Sequence, residues 1–250
     1  MRLFIGSRFA CRCAAFVIAL GIWWALTLVY PPLIIPRPAD VLGKLSEIVF
    51  SSGMWRIVAL TALRLLAGLA LGVGVGTAAG ILLGRFSALH AIFRPLLGVV
   101  QAVPLISWLV LALLWFGFNG RASVFIVAVA AMPVMLVNIV EGIRTIDPRL
   151  LQMARLYAFS PGKSLRHVVA PSVLPSFRAG AHVAVGLGCK TVIMGEVLTT
   201  ASGIGGEITD ARLNLEPETV VAWTIVVVVL YYCLDAVTAR LLRGRRGSAC

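Results

Sequence analysis

Six long apolar runs, at 14–30, 65–83, 96–116, 123–140, 180–198 and 220–237, alternate with shorter polar stretches. Each is close to the ~20 apolar residues that a helix needs to cross the hydrocarbon core. Backbone in lipid must satisfy its own hydrogen bonds, so the pattern predicts an all-α polytopic protein with six transmembrane helices. The stretch 31–64 opens with Pro31-Pro32 and Pro36-Arg37-Pro38 and is expected outside. A helix over 39–50 would place Val41, Leu42, Leu45, Ile48 and Val49 on one stripe, flanked by Asp40, Lys44 and Glu47, along the membrane surface. Residues 85–94 are expected to form a short basic inner loop and 117–122 a tight outer turn. The acidic stretch 199–219 is expected outside.

Three apolar runs carry features of their own. In the second, Gly68, Gly72, Gly76, Gly80 and Gly84 recur at every fourth residue, a ridge suited to close helix packing in lipid. Four residues exceed one turn of 3.6, so the ridge is expected to drift and cross its neighbour at an angle. A dinucleotide-binding reading of Gly72, Gly74 and Gly76 lacks both the preceding strand and the following acid. In the third run Pro104 frees a backbone carbonyl beside Gln101. Such a carbonyl faces either a translocation path, with Gln101 lining it, or a packed kink, and both readings stay open. In the fifth, Lys190 lies near mid-span, where a charge is a functional candidate. It would face an anionic substrate, pair with Glu141 or Asp235, or sit neutral. Glu196, six residues on, lies on another face.

The longest polar segment, 147–175, contains two helix starts of one kind. Asp147-Pro148 and Ser160-Pro161 each place an N-cap acceptor before a proline at the first helical position. The first helix would show Leu150, Met153, Ala154 and Tyr157 on one face, with Arg149, Gln152 and Arg155 turned away. The second would show Leu165, Val168 and Val169, with Lys163, Arg166 and His167 turned away. Pro171 and Pro175 are expected to stop the helix. A helix–turn–helix too polar for lipid, with apolar faces, is built to dock on a soluble partner.

Charge sets the orientation. Of the 22 Lys and Arg, fifteen fall in the inner segments, six in the outer ones, and Lys190 in a span. This positive-inside bias puts both termini in the cytoplasm. The organisation is then a cytoplasmic N-terminus (1–13), a membrane domain (14–240) containing the inner loop 141–179, and a basic tail (241–250). No small-x-small cleavage site follows the first run, which is expected to be retained. The chain is 60% hydrophobic, against about 45–50% in soluble domains. Its net charge of +12 comes with no nucleic-acid motif. The five cysteines lack zinc-ligand spacing and are expected as free thiols. The three histidines form no metal cluster in sequence. Gly162-Lys163-Ser164 resembles the end of a phosphate-binding loop, but Tyr157 stands where its first glycine belongs. No ATP site or nucleophile–base pair is recognisable.

The inner loop resembles the coupling ("EAA") loop in permease subunits of bacterial ABC importers, whose pattern is Glu-Ala-Ala, three residues, Gly, nine residues, Ile-x-Leu-Pro. Aligned on Ala154 and Pro171, Gln152-Met153-Ala154 takes the place of Glu-Ala-Ala. Ala158 stands where Gly is usual, and Val168-Val169-Ala170-Pro171 ends the pattern. If that glycine supplies a left-handed turn, Ala158 costs ~1 kcal/mol. Gln101-Ala102-Val103-Pro104 and Gly203-Ile204-Gly205 also match the family, and the resemblance runs from the first span to the sixth. It is similar to the branch for nitrate, sulfonate and taurine. The resemblance implies a type I importer permease in a bacterial inner membrane, transporting a small anion. Its implied partners are a second permease copy, two cytoplasmic ATPase subunits that bind ATP and Mg, a periplasmic or lipid-anchored binding protein, and membrane lipid. The chain itself would hold no cofactor. The ATPase contact would use Met153, Ala154, Tyr157 and Leu165, with Arg155 and Lys163 at its rim. A secondary transporter, or a membrane scaffold without ATPase coupling, is the alternative. The first needs coupling-ion carboxylates, for which Glu196 alone is thin; the second does not need the two-helix loop.

Overall fold

The computed structural model describes residues 2–199 and 202–242, with side chains from residue 14 onward except 16, 241 and 242. Among them every regular element is helical. These are α1 (Arg2–Val29), α2 (Pro38–Phe50), α3 (Met54–Arg85), α4 (Ser87–Ala102), α5 (Leu105–Phe116), α6 (Gly120–Arg144), α7 (Pro148–Leu156), α8 (Pro161–Ser164), a π turn (Leu165–Val169), α9 (Ala170–Thr199), α10 (Ile204–Leu213) and α11 (Pro217–Leu242).

The chain forms two compact units, 1–56 with 207–226, and 57–206 with 227–250. In the first, Trp23 Nε1 donates to the Pro36 carbonyl at 3.2 Å, which folds the proline-rich turn back onto α1. Pro38 opens α2, where its fixed φ suits the first turn. Within the expected stripe Val41 is buried and Leu45 and Ile48 are half-buried, whereas Leu42 and Val49 are exposed, so one edge of the stripe is packed and the other is open.

The second unit is built on α3, α6 and α9. Its core joins Leu65 and Leu69 of α3, Val127, Ala131, Met135 and Ile139 of α6, and Ala184, Cys189 and Val192 of α9. The glycine ridge lies against α6 along its whole length. A Cβ on Gly68 would meet Val127 Cβ at 2.6 Å, on Gly72 Ala128 O at 2.7 Å, on Gly76 Met132 O at 2.5 Å, on Gly80 Ile139 Cβ at 2.7 Å, and on Gly84 Ile143 Cδ1 at 2.8 Å. The ridge therefore stays against α6 from Gly68 to Gly84. A row with a period longer than 3.6 stays in contact when the two helices wind right-handedly around each other. A neighbouring side of α6 meets glycines of α9, with Gly180 against Asn138 and Gly195 against Ser123, and Met135 touches both rows. Sequence reading passed over this second row.

Three expected boundaries move. The third run is a broken pair: α4 and α5 meet at 88°, with Val103 and Pro104 between them. Pro104 cannot continue the ladder of α4 and instead caps α5. The inner loop 85–94 is largely helical, because α4 begins at Ser87 and seats Leu89 and Leu97 against Leu83, Leu136 and Val140. Pro171 and Pro175 do not stop the helix, and α9 runs through both. The π turn before it spaces the backbone by one extra residue, with Ala170 N bonded to Leu165 O. Ser172 Oγ donates to the Val168 carbonyl at 2.7 Å.

Among the described residues four helical segments are long and apolar enough to cross a membrane: Met54–Arg85, Gly120–Arg144, Pro161–Thr199 and Pro217–Arg240. The α4–α5 pair makes a fifth only across its bend. The first expected span falls on α1, whose side chains are described only in part.

Candidate functional site

Both predicted caps of the inner loop form. Asp147 accepts from Arg149 N at 2.8 Å to open α7, and Ser160 accepts from Lys163 N at 3.4 Å to open α8. Between them, Phe159 N bonds to Ala154 O and Ala158 N to Arg155 O, the paired bonds of a Schellman cap. That cap needs a left-handed residue, and Ala158 supplies it at φ 49°. Ala158→Gly is therefore expected to stabilise the loop by about 1 kcal/mol, read as slower amide exchange of α7. Faster exchange in the variant would contradict the strain.

The loop's apolar faces differ from the expectation at Ala154 and Val168, which are buried, and at Leu156, which is open. Ala154 is only 3% exposed. It lies inside the loop with Val168, α7 packing against the π turn, and a charge there would disturb the loop's own fold. The face left open carries Leu150, Met153, Leu156 and Tyr157, with Leu165 beyond the turn. Leu156, 86% exposed, was assigned to neither face from the sequence. Arg155, Gln152 and Lys163 are also exposed, as is Pro171 at the start of α9.

A second feature is the cleft at the α4–α5 elbow, about 450 Å³, lined by Gln101, Val103, Trp108, Pro133, Asn138 and Leu187 among others. Gln101 lines it, while Pro104 forms the bend without lining it. Trp108 Nε1 is buried there without a hydrogen-bond partner among the described residues. Asn138 Nδ2 donates to the Val134 carbonyl at 2.8 Å. The wall is thus apolar with a few polar groups.

Lys190 is exposed on α9 and makes no ion pair among the described residues. No ion pair joins Lys190 to Asp235, whose Oδ1 lies 2.7 Å from His182 Nδ1. No ion pair with Glu141 forms either.

Sequence reading missed a buried polar cluster. Arg64, expected in an outer loop, sits within α3 and reaches Glu196 Oε1 at 2.7 Å. Glu196 is fully buried. Thr61 Oγ1 donates to it at 2.8 Å, and Gly205 N donates at 3.0 Å. Arg64 also holds the Ser202 carbonyl at 2.8 Å, and Thr61 accepts from Ile204 N at 2.9 Å. Gly203, at φ 91°, leaves no room for a Cβ beside the Glu196 carboxylate. Charges buried in apolar helices require partners, and that was the available signal. The cluster ties Ser202–Gly205 to α3 and α9.

The model of the family described as binding-protein-dependent transport system inner membrane component matches residues 72–247. The putative aliphatic sulfonates transport permease protein SsuC of Escherichia coli is 31% identical over 231 residues, covering 92% of this chain and 85% of its own. The taurine transport system permease protein TauC of Escherichia coli is 24% identical, covering 87% and 82%. A chain of the inward-facing MetNI methionine ABC transporter matches in fold with a TM-score of 0.66 at 19% identity, covering 78% of this chain and 98% of that one.

Proposed function

Because the chain belongs to the binding-protein-dependent transport system inner membrane component family, and is a membrane permease subunit of an ABC importer, we propose that it carries a small organic or inorganic anion of the sulfonate, taurine and nitrate class. The substrates named for its relatives, aliphatic sulfonates, taurine and bicarbonate, each carry a sulfonate or carbonate oxyanion and support this class. So does Lys190, a mid-span lysine that makes no ion pair among the described residues. We place six spans in the membrane, with α1 as the first and the α4–α5 pair as the third, and both termini in the cytoplasm. The charge asymmetry supports this orientation.

The observation that carries coupling is the capped α7–α8 element, with Leu150, Met153, Leu156, Tyr157 and Leu165 uncovered. Such a face in water calls for a partner groove. That partner is a cytoplasmic ATPase, which binds ATP and Mg; this chain binds neither. Two permease copies would enclose the path at a two-fold axis, since one chain presents Lys190 and the elbow cleft without surrounding them. Closure of two ATPases would draw the two loops together and rock the helices. A binding protein, periplasmic or lipid-anchored, would deliver the anion from the far side.

One experiment tests topology and coupling together. In a cysteine-free background, a thiol at Ser160 is expected to react only from the cytoplasmic side, and bound ATPase is expected to protect it. Leu156→Asp should abolish that protection, since an unpaired charge in a desolvated contact costs several kcal/mol. Reaction from outside would refute the orientation, and equal reactivity with and without ATPase would refute the coupling.

A further inference from the structure

A second cleft, about 390 Å³, opens along α4 and α6 and shares Gln101 and Val137 with the elbow cleft. Its polar lining is His90, Arg94 and Gln101 of α4 with Glu141 and Arg144 of α6. Three elements of charge and geometry converge there. Arg94 and Arg144 lie near enough to His90 for both charges to bear on it. Neither arginine forms an ion pair among the described residues, and neither does Glu141. The Nδ1 atom of His90 is buried without a hydrogen-bond partner among the described residues.

Buried polar nitrogen without a partner is uncommon, because the lost hydration is not replaced. Two guanidinium groups, each a planar fork of donors, suit the oxygens of one tetrahedral anion. Glu141 opposes them with one charge, which leaves the lining net positive by one before His90 is counted. We propose that His90, Arg94 and Arg144 form a binding site for a single phosphate or sulfonate group, with Gln101 as a further donor. The two sources of such a group are the headgroup of an acidic phospholipid in the facing leaflet, and a free anion in the cleft. Basic pockets between membrane helices at the cytoplasmic face are suited to the first. The lipid source rests on the inward placement of this end argued above; the anion contact itself does not.

The test uses the full-length chain in detergent and three variants: Arg94→Gln/Arg144→Gln in the cleft, Arg149→Gln/Arg155→Gln as an equal loss of charge on the inner loop, and His90→Gln. Native mass spectrometry reads retention of phosphatidylglycerol against phosphatidylcholine, and thermal shift reads protection by inorganic phosphate and methanesulfonate. The cleft variant is expected to lose at least about tenfold in affinity for one of these anions, with an unchanged unfolding midpoint, while the loop variant keeps it. Loss confined to phosphatidylglycerol assigns the site to lipid, and loss confined to the soluble anions assigns it to a free solute. His90→Gln, which removes no arginine, is expected to weaken the same ligand. Undiminished binding of both ligand types by the cleft variant would overturn the site, and so would an equal loss in the loop variant. Failure of the inward placement would leave the soluble-anion measurement unaffected.

Discussion

Glu196→Gln is expected to destabilise the fold by about 3–5 kcal/mol, the scale for removing one partner of a buried ion pair. The carboxylate is fully buried and receives Arg64, Thr61 and the amide of Gly205 at 2.7–3.0 Å. The substitution leaves the Arg64 guanidinium, whose side chain is 11% exposed, without its counter-charge. An amide nitrogen also faces donors where an oxygen accepted from them. The double variant Arg64→Leu/Glu196→Leu removes both charges and is expected to recover part of the loss. Recovery stays incomplete, because Thr61 and the Gly205 amide lose their acceptor. Unfolding by SDS titration in mixed micelles reads both effects. A Glu196→Gln protein within about 1 kcal/mol of the parent would show that the cluster does not hold the fold.

Gly76→Leu is expected to separate α3 from α6. Its Cβ alone would stand 2.5 Å from the Met132 carbonyl oxygen and 2.8 Å from Met135 Cβ. The first of these is backbone, which cannot rotate away as a side chain can. Overpacking typically costs about 1–3 kcal/mol, and a leucine on a five-glycine seam lies at or above the top of that range. Gly74, two residues earlier, supplies the control: a Cβ there meets nothing within 4 Å. Gly74→Ala is expected to be neutral or to stabilise by up to about 1 kcal/mol, since glycine weakens a helix interior. Opposite signs at adjacent glycines separate packing from propensity. A Gly76→Leu permease with parental stability and transport would show that the ridge does not pack on α6.

The inner loop was the most legible part of the chain. Its caps are local, and Asp147-Pro148 and Ser160-Pro161 signal them within two residues. The strain at Ala158 was likewise foreseeable once a left-handed turn was expected there. The inward face of α7 was not, because Leu150, Leu151, Met153 and Ala154 permit two stripes offset by one residue. Contact with the π turn selects the stripe that buries Ala154. Pro171 and Pro175 read as helix stops because the sequence carries no mark of the π turn that accommodates them.

Hydrophobic run length, charge asymmetry and the four-residue glycine period are properties of the chain as a string. They determined the helical class, the membrane environment, the expected orientation and the close-packing edge of α3. Which helix meets that edge, how sharply Pro104 bends the third run, and where a buried charge finds its partner depend on atoms far apart in sequence. Thr61 and Glu196 are 135 residues apart. Only packing α3, α6 and α9 together brings an arginine assigned to a loop beside a carboxylate assigned to a span. Burial of that carboxylate makes the pairing obligatory, and the position of the partner is a property of the tertiary structure alone.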